Sequence, residues 1–419
     1  MAGFSAAVLC LSAVCLLLWL LRRGAGLWIA FPLVLAAVSA SSIHYLARPH
    51  IFSLLLATWM LWLLDEDRRR AGPLVWILVP LSALWANLHG GFVCGLAIVA
   101  LLAAICGLER NRPACQRYAT LAALCSAATV LNPYGWHLHR HILAYLSSSW
   151  IQDNVQEFQS PHIRAENMQV FAVLLLCGVA LVSRAFARKQ WFEGVLVLAW
   201  GFAALRSARH VPLYAVAAAP LIAQECAAWW ARAAERHPAR SAVRILWELS
   251  QEFGRSRRMT LWTPALGALA LWMALPQAGL ADFPEARFPV AAVARNLGRL
   301  RPPDAMPRIL TSDQWADYLI FRLYPRQRVF FDGRSDFYGP VVGTDYQALL
   351  SAGPGWRQAL ARYGFEMALL PVDWPLGAVL ENDPEWRLVD RDSSSVLLIR
   401  RDAPLKESRE TAECKSVGE

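Results

Sequence analysis

Residues 84–92 read Leu-Trp-Ala-Asn-Leu-His-Gly-Gly-Phe and lie between two apolar runs, residues 74–83 and 93–108. This junction carries an indole, an amide and an imidazole, and no Lys, Arg, Asp or Glu occurs in it or in either run. Its two glycines allow the backbone to turn or to approach a neighbour closely. Similar polar junctions recur along the chain, and we expect those at every second loop to meet on one side of a membrane. The simpler interpretation is that Asn87 and His89 only cap two helix ends.

The composition predicts a membrane protein. Of the 419 residues, 56% are hydrophobic and 19 are Trp, and the mean hydropathy is +0.33. The apolar residues come in blocks of roughly 17 to 25, the length of an α-helix that crosses a bilayer. We therefore predict a polytopic α-helical membrane protein with about ten transmembrane helices. The candidate spans cover approximately residues 4–21, 26–43, 50–64, 73–88, 91–108, 118–132, 169–186, 190–205, 210–230 and 260–280.

Charge and cysteine content disfavour other classes. The net charge is +9, but the arginines lie in short loops between apolar runs, so we expect no nucleic-acid partner. The nine cysteines include no C-x-x-C pair, and the histidines from His137 to His141 match no strong metal-ligand spacing. The sequence therefore predicts no metal site, and it indicates no cofactor.

Lys and Arg are distributed unevenly between alternate loops. The odd-numbered loops contain 18 of them, whereas the even-numbered loops contain 5. Because cytoplasmic loops are enriched in these residues, the odd loops are predicted to be cytoplasmic. The N-terminus and everything after residue 281 are then predicted to face outward.

Beyond residue 282 the composition becomes richer in Pro, Asp and Arg, and no further span follows. We assign residues 1–281 to the transmembrane domain, 282–403 to a small extracytoplasmic α/β domain and 404–419 to a disordered tail. The predicted elements of the outer domain are helices 289–300, 315–323 and 356–363 and strands 308–310, 328–331, 366–370 and 395–399.

The longest cytoplasmic loop contains an amphipathic stretch, Ala242 to Phe253. Val243, Leu246 and Leu249 fall at helical spacing on one stripe, and charged residues lie off it. We expect this helix to lie in the membrane interface against anionic lipid. Packing against the helical bundle is the alternative.

Eight of the nine histidines lie in the four predicted outer loops, which favours a site there. A lipid-linked phosphate at the membrane surface needs cations of fixed geometry. Arg206 and Arg209 can form bidentate contacts to phosphate oxygens, and Arg48 could assist them. His50 and Asn87 complete the predicted substrate-binding set. The alternative is that the arginines only anchor lipid headgroups.

Transfer from such a donor needs a base to activate an acceptor. Asp153 and Glu157 are acidic residues of the third outer loop, and they would share one face if their segment is helical. His89 could donate to the leaving phosphate, so these three residues are the catalytic candidates. The alternative is that both carboxylates are simply solvated.

Residues 330–339, Phe-Phe-Asp-Gly-Arg-Ser-Asp-Phe-Tyr-Gly, follow a predicted strand of the outer domain. Charged groups at a strand end are a common site location. A structural turn held by Asp332 and Arg334 is the favoured interpretation.

Several of these stretches together resemble bacterial membrane proteins related to the C-type (GT-C) glycosyltransferases, a superfamily that includes protein O-mannosyltransferases and the aminoarabinose transferase acting on lipid A. The stretches are Arg48-Pro49-His50, residues 85–91, Asn132-Pro133-Tyr134-Gly135, the Arg206/Arg209 loop, Asp317-Tyr318-Leu319 and Phe331-Asp332-Gly333-Arg334. The resemblance implies a glycosyltransferase-like protein of the bacterial cytoplasmic (inner) membrane. It also implies a polyprenyl-phosphate-linked donor of a hexosyl or pentosyl group, used on the outer face.

The chain departs from the family at its start. In those enzymes the principal catalytic acid lies in a first outer loop, after a first span that begins in the cytoplasm. This chain begins directly in a predicted span that starts outside, so we expect an in-frame upstream segment that encodes one more span and an acidic outer loop. The alternative is a non-catalytic membrane protein that binds or handles lipid-linked glycans.

The loop asymmetry predicts the outcome of reporter fusions. Fusions after Arg70, Cys115 and Arg188 should report the cytoplasm, and a fusion after Val290 should report the outside, because positively charged loops are retained in the cytoplasm. A cytoplasmic signal at Val290 would contradict both the topology and a shared outer site.

Overall fold

The structure, a computed structural model, describes residues 2–45, 48–255, 283–300, 307–325 and 327–403. The chain is divided into two compact units, Met1–Pro276 and Gln277–Glu419. The predicted span at residues 260–280 and the predicted tail at 404–419 lie outside the described residues.

The first unit is built from α-helices. They are α1 Ala2–Arg22, α2 Leu27–Ser41, α3 His50–Arg69, α4 Leu78–Leu88, α5 Phe92–Leu108, α6 Arg112–Ala128, α7 Trp136–Ser147, α8 Ser149–Asn154, α9 Glu166–Ala187, α10 Trp191–Arg206, α11 Val211–Arg236 and α12 Ala242–Arg255. Short 3₁₀ helices cover Ser42–His44, Pro73–Ile77, Gln156–Phe158 and Ala208–His210. Each predicted span before residue 231 coincides with one of these helices.

Four helical segments of the described chain are long and apolar enough to cross a membrane: Gly3–Arg22, Leu27–His44, Glu166–Ala187 and Ala208–Arg236. Pro73–Leu88 and Phe92–Leu108 are apolar but shorter. A helical protein with several potential membrane spans is therefore established, whereas ten crossings remain a proposal.

Several ion pairs join helix ends at the odd-numbered loops, and we call this set the ion-pair network. Asp67, at the end of α3, is paired with Arg117 of α6 by hydrogen bonds of 2.7 and 2.8 Å and accepts another from the Tyr118 hydroxyl. Asp65 accepts the indole N–H of Trp19 of α1 at 2.8 Å and lies 3.8 Å from Arg23, which follows that helix. These buried carboxylates are paired, as a low-dielectric interior requires.

The same network reaches α9, α10 and α11. Arg68 of α3 pairs with Glu193 of α10 at 2.7 Å. Arg184 of α9 and Arg188, which follows that helix, pair with Glu225 of α11. Residues of the first, third, fifth and seventh loops and of α11 are thus joined at this end by several separate ion pairs.

Glycines let aromatic rings pack closely between the helices. Trp85 of α4 is 2% exposed, and a Cβ at Gly95 of α5 would lie 2.6 Å from its Cζ3 atom. Tyr214 of α11 fits against Gly178 and Gly201 in the same way. Small residues at helix contacts are the usual means of close packing where the solvent is lipid.

The second unit contains a four-stranded sheet of order β1-β2-β4-β3. The strands are β1 Ile309–Thr311, β2 Met367–Pro371, β3 Trp386–Arg391 and β4 Ser395–Arg400, of which only β1 and β2 are parallel. The helices are α13 Val290–Arg295, α14 Leu297–Leu300, α15 Asp313–Leu323, α16 Ser335–Leu350, α17 Trp356–Tyr363 and α18 Pro375–Glu381. Alternate strand residues face two apolar clusters, with Ile309 in one and Leu310 in the other.

Two sequence expectations for this unit were wrong, and three of its elements were missed. The predicted strand 328–331 is reduced to a single bridge between Val329 and Ile309, because the chain turns at Asp332. The predicted helix 289–300 is broken at Asn296, whose side chain donates to the Ala292 carbonyl and competes with the helix backbone. Helices α16 and α18 and strand β3 were not anticipated.

The Trp85–Gly95 contact makes a testable prediction. In Gly95→Ala the added methyl group would collide with a buried ring, so we expect the protein to lose about 1–3 kcal/mol of stability. Thermal unfolding in detergent measures this loss. Gly3→Ala is the matched control, because a Cβ at Gly3 meets nothing within 4 Å. Equal unfolding temperatures for the two variants would contradict the packing argument.

Candidate functional site

Three histidines from two predicted outer loops lie together at the start of α3. The ring centroids of His44 and His50 are 5.5 Å apart, and those of His50 and His89 are 6.2 Å apart. We call these three residues the histidine cluster. His50 begins α3 and Asp67 lies near its end, so roughly 25 Å of helix separates the cluster from the ion-pair network.

The backbone fixes one proton position in this cluster. His50 Nε2 lies 2.5 Å from the His44 carbonyl oxygen. A carbonyl oxygen only accepts, so Nε2 of His50 carries a hydrogen. His44 Nε2 is buried and has no hydrogen-bond partner among the described residues.

The bonds around His89 determine its tautomer. Ser53 Oγ lies 2.8 Å from His89 Nδ1, and the Trp85 indole N–H donates to Ser53 Oγ at 2.8 Å. The Gly91 backbone N–H also donates to His89 Nδ1, at 3.1 Å. Because that amide only donates, Nδ1 carries no hydrogen and the Ser53 hydroxyl donates to it. Neutral His89 therefore has its hydrogen on Nε2, where it can be given to an oxygen of a ligand.

The packing requires a glycine at position 91, the second residue after His89. A Cβ at Gly91 would lie 2.5 Å from Ser53 Oγ and 2.9 Å from His89 Nδ1. A larger residue would thus break both bonds that set the tautomer.

The environment keeps His89 neutral. Burial lowers the pKa of His89 to about 4, with further lowering from His50, Arg209 and His44. At neutral pH the positive charge of the site therefore comes from arginines.

Arg209 comes to the site from the loop between α10 and α11. Its guanidinium lies 4.4 Å from the Phe158 ring centroid, a cation–π contact that orients it. Two hydrogen bonds to backbone carbonyls join this loop to the third predicted outer loop: the Ser207 hydroxyl donates to the Glu157 carbonyl at 3.0 Å, and the Ala208 N–H donates to the Gln159 carbonyl at 2.9 Å. The third and fourth outer loops thus form one surface beside the cluster.

The two predicted carboxylates do not share a helix face, so that expectation was wrong. Helix α8 ends at Asn154, Val155 is extended (φ −90°, ψ 120°), and Glu157 lies in a separate 3₁₀ helix. Asp153 is exposed, whereas Glu157 is half-buried and its Oε1 lies 3.9 Å from Nη1 of Arg48. The extended residue rotates Glu157 away from the α8 face that carries Asp153.

Two other predicted binding residues have protein partners. Arg206 ends α10, is exposed, and donates to Gln152 Oε1 at 3.5 Å. The Asn87 amide donates to the carbonyls of Ala83 and Leu131, both at 2.8 Å, so its N–H groups tie α4 to the third outer loop. Five of the predicted site residues lie in or near the histidine cluster: His50, His89, Arg48, Glu157 and Arg209. Among the described residues, the other three predicted site residues, Asp153, Arg206 and Asn87, show no contact with the cluster.

The structure adds residues that the sequence argument missed. Ser53 follows His50 by three positions, so both lie on one face of α3, a spacing that could have identified it. Trp85 lies within the polar junction at residues 84–92, but only the fold shows that its indole reaches Ser53.

Other charged or histidine-rich stretches have structural roles. His139 is bonded to Thr129 at 2.9 Å and stacked on Trp136, and the described residues contain no group of three His, Cys, Asp or Glu that could hold a metal. In the second unit Arg334 donates to both oxygens of the buried Asp332, at 2.9 and 2.6 Å. This pair forms a structural turn.

The lowered pKa of His89 predicts a pH effect on stability. The unfolded chain binds this proton with a pKa of about 6.5 and the folded chain with a pKa of about 4. The stability that the folded protein gains from a neutral His89 is therefore complete above pH 6.5 and is lost as the pH falls toward 4. In His89→Asn, unfolding temperatures measured across this range should fall less steeply than in the wild type. Exposed His237 supplies the control His237→Asn, which should follow the wild type. Identical slopes for all three proteins would contradict the argument.

No protein-family model matches the chain, and no match is found among curated proteins.

Proposed function

We propose that this chain is an integral membrane, glycosyltransferase-like protein that uses a polyprenyl-phosphate-linked sugar on the outer face of a bacterial cytoplasmic membrane. The observation that supports this most is a pair of oriented groups at the histidine cluster: the Arg209 guanidinium, held on the Phe158 ring, and the directed Nε2–H donor of His89. A phosphate placed there would meet both fixed charge and hydrogen-bond donors.

Each group has one role in this proposal. Arg209 binds the phosphate oxygens, and its guanidinium is held by Phe158 in one orientation. His89 Nε2–H donates to the oxygen that links the sugar to phosphate. Because His89 is neutral, it donates a hydrogen bond without repelling the arginines.

The transfer step follows from these positions. An acceptor hydroxyl loses its proton to the Glu157 carboxylate as its oxygen bonds to the anomeric carbon of the sugar. The bond between that carbon and the phosphate oxygen breaks, and the polyprenyl phosphate leaves with the additional negative charge. Arg209 stabilises that charge. Arg48 holds Glu157 in place and carries the second positive charge.

One observation favours the non-catalytic alternative, a protein that binds or handles lipid-linked glycans. Glu157, the base in the transfer step, faces Arg48 at 3.9 Å, and Asp153 does not reinforce it. A carboxylate paired with a guanidinium is less available to an acceptor hydroxyl, which must come within hydrogen-bond reach of it.

Binding of a polyprenyl phosphate to the detergent-solubilised protein tests the site. Arg209→Lys keeps the charge but loses the planar fork, so we expect affinity to fall about tenfold. Arg140→Lys, an exposed arginine of α7, is the matched control and should bind as the wild type. If Arg209→Lys also binds as the wild type, the phosphate site is contradicted. With polyprenyl-phosphate mannose as a trial donor, transfer by the wild type but not by Glu157→Gln supports the enzyme. Binding without transfer supports the alternative.

A further inference from the structure

Helix α12 presents three distinct faces. Val243, Trp247 and Ser250 are turned toward the bundle: the Val243 carbonyl accepts the Trp230 indole N–H at 3.1 Å, Trp230 and Trp247 have ring centroids 5.9 Å apart, and Ser250 is fully buried. Ser250 also touches Gly26, where a Cβ would collide with its hydroxyl. The helix is therefore fixed against the first odd loop and α11.

A second face is apolar and open. Ile245, Leu246 and Leu249 are 49%, 43% and 37% exposed, and they fall within one arc of about 100° around the helix. Trp229, on the last part of α11, is also exposed, at 67%. Exposed apolar side chains and exposed Trp residues are typical of surfaces that lie in the membrane interface.

The third face is charged. Arg244 and Glu248 form an ion pair of 2.9 Å on the flank between the apolar face and the face turned toward the bundle. From Arg232 to Arg258 the sequence contains seven Arg and three acidic residues. A positively charged segment with an apolar face complements a lipid surface that carries negative charge.

We infer that α12 is an interfacial helix that binds anionic lipid headgroups, with its apolar face inserted among the acyl chains. The occupant of the open face is the bilayer surface at the odd-loop end of the first unit. Because Ser250 packs on Gly26, lipid binding by α12 also braces the connection between α1 and α2.

The position of the apolar face can be measured in the full-length protein. An environment-sensitive fluorescent amino acid replaces Leu249 or, as the matched control, Glu248, and each protein is reconstituted into vesicles containing brominated phospholipid. We expect strong quenching at position 249 and little at position 248, because neighbouring positions point to lipid and to water. Equal quenching at the two positions, or a shielded position 249 without quenching, would overturn the inference and indicate a protein partner.

The charge is tested by lipid competition. The wild type, taken from vesicles of phosphatidylglycerol and phosphatidylcholine, should retain phosphatidylglycerol selectively in native mass spectrometry. Arg240→Gln/Arg244→Gln should reduce that selectivity by up to about fivefold per arginine. Arg140→Gln/Arg164→Gln, two exposed arginines of the even-numbered loops, should leave it unchanged. Equal losses in both double variants would contradict a specific role for α12.

Discussion

The candidate site depends on the hydrogen bond that the indole N–H of Trp85 donates to Ser53. In the interior of an apolar helical bundle, an N–H group without a partner costs several kcal/mol, and this one is satisfied by Ser53 of α3. The same ring rests on Gly95 of α5, so one side chain fixes three helices. That arrangement sets the orientation of Ser53, which in turn sets the tautomer of His89.

Charge is arranged differently at the two ends of the first unit. At the odd-numbered loops, carboxylates such as Asp67 and Glu225 are buried and matched by arginines from other helices. At the even-numbered loops, Arg206 and Arg209 contact an amide oxygen and an aromatic ring instead. The first arrangement holds helices together, whereas the second leaves cationic charge for a ligand.

Much of the helical framework could be predicted because long apolar runs determine where helices form. The site was harder to predict, because it depends on bonds between distant segments. Ser53 gives no indication of function until Trp85 is seen to reach it, and a single extended residue, Val155, separates Asp153 from Glu157. In the second unit the pairing of Val329 ends after one residue because Asp332 turns the chain, and local strand propensity carries no information about that turn.

Helix α3 carries Ser53 near its start and Asp67 near its end, on one continuous set of backbone hydrogen bonds. An α-helix is stiff along its axis, so displacement of one end is transmitted to the other. Weakening the Arg117–Asp67 pair would therefore disturb the geometry of His89 at the other end of this helix. The histidine cluster and the Asp67 ion pair are thus attached to the two ends of one helix.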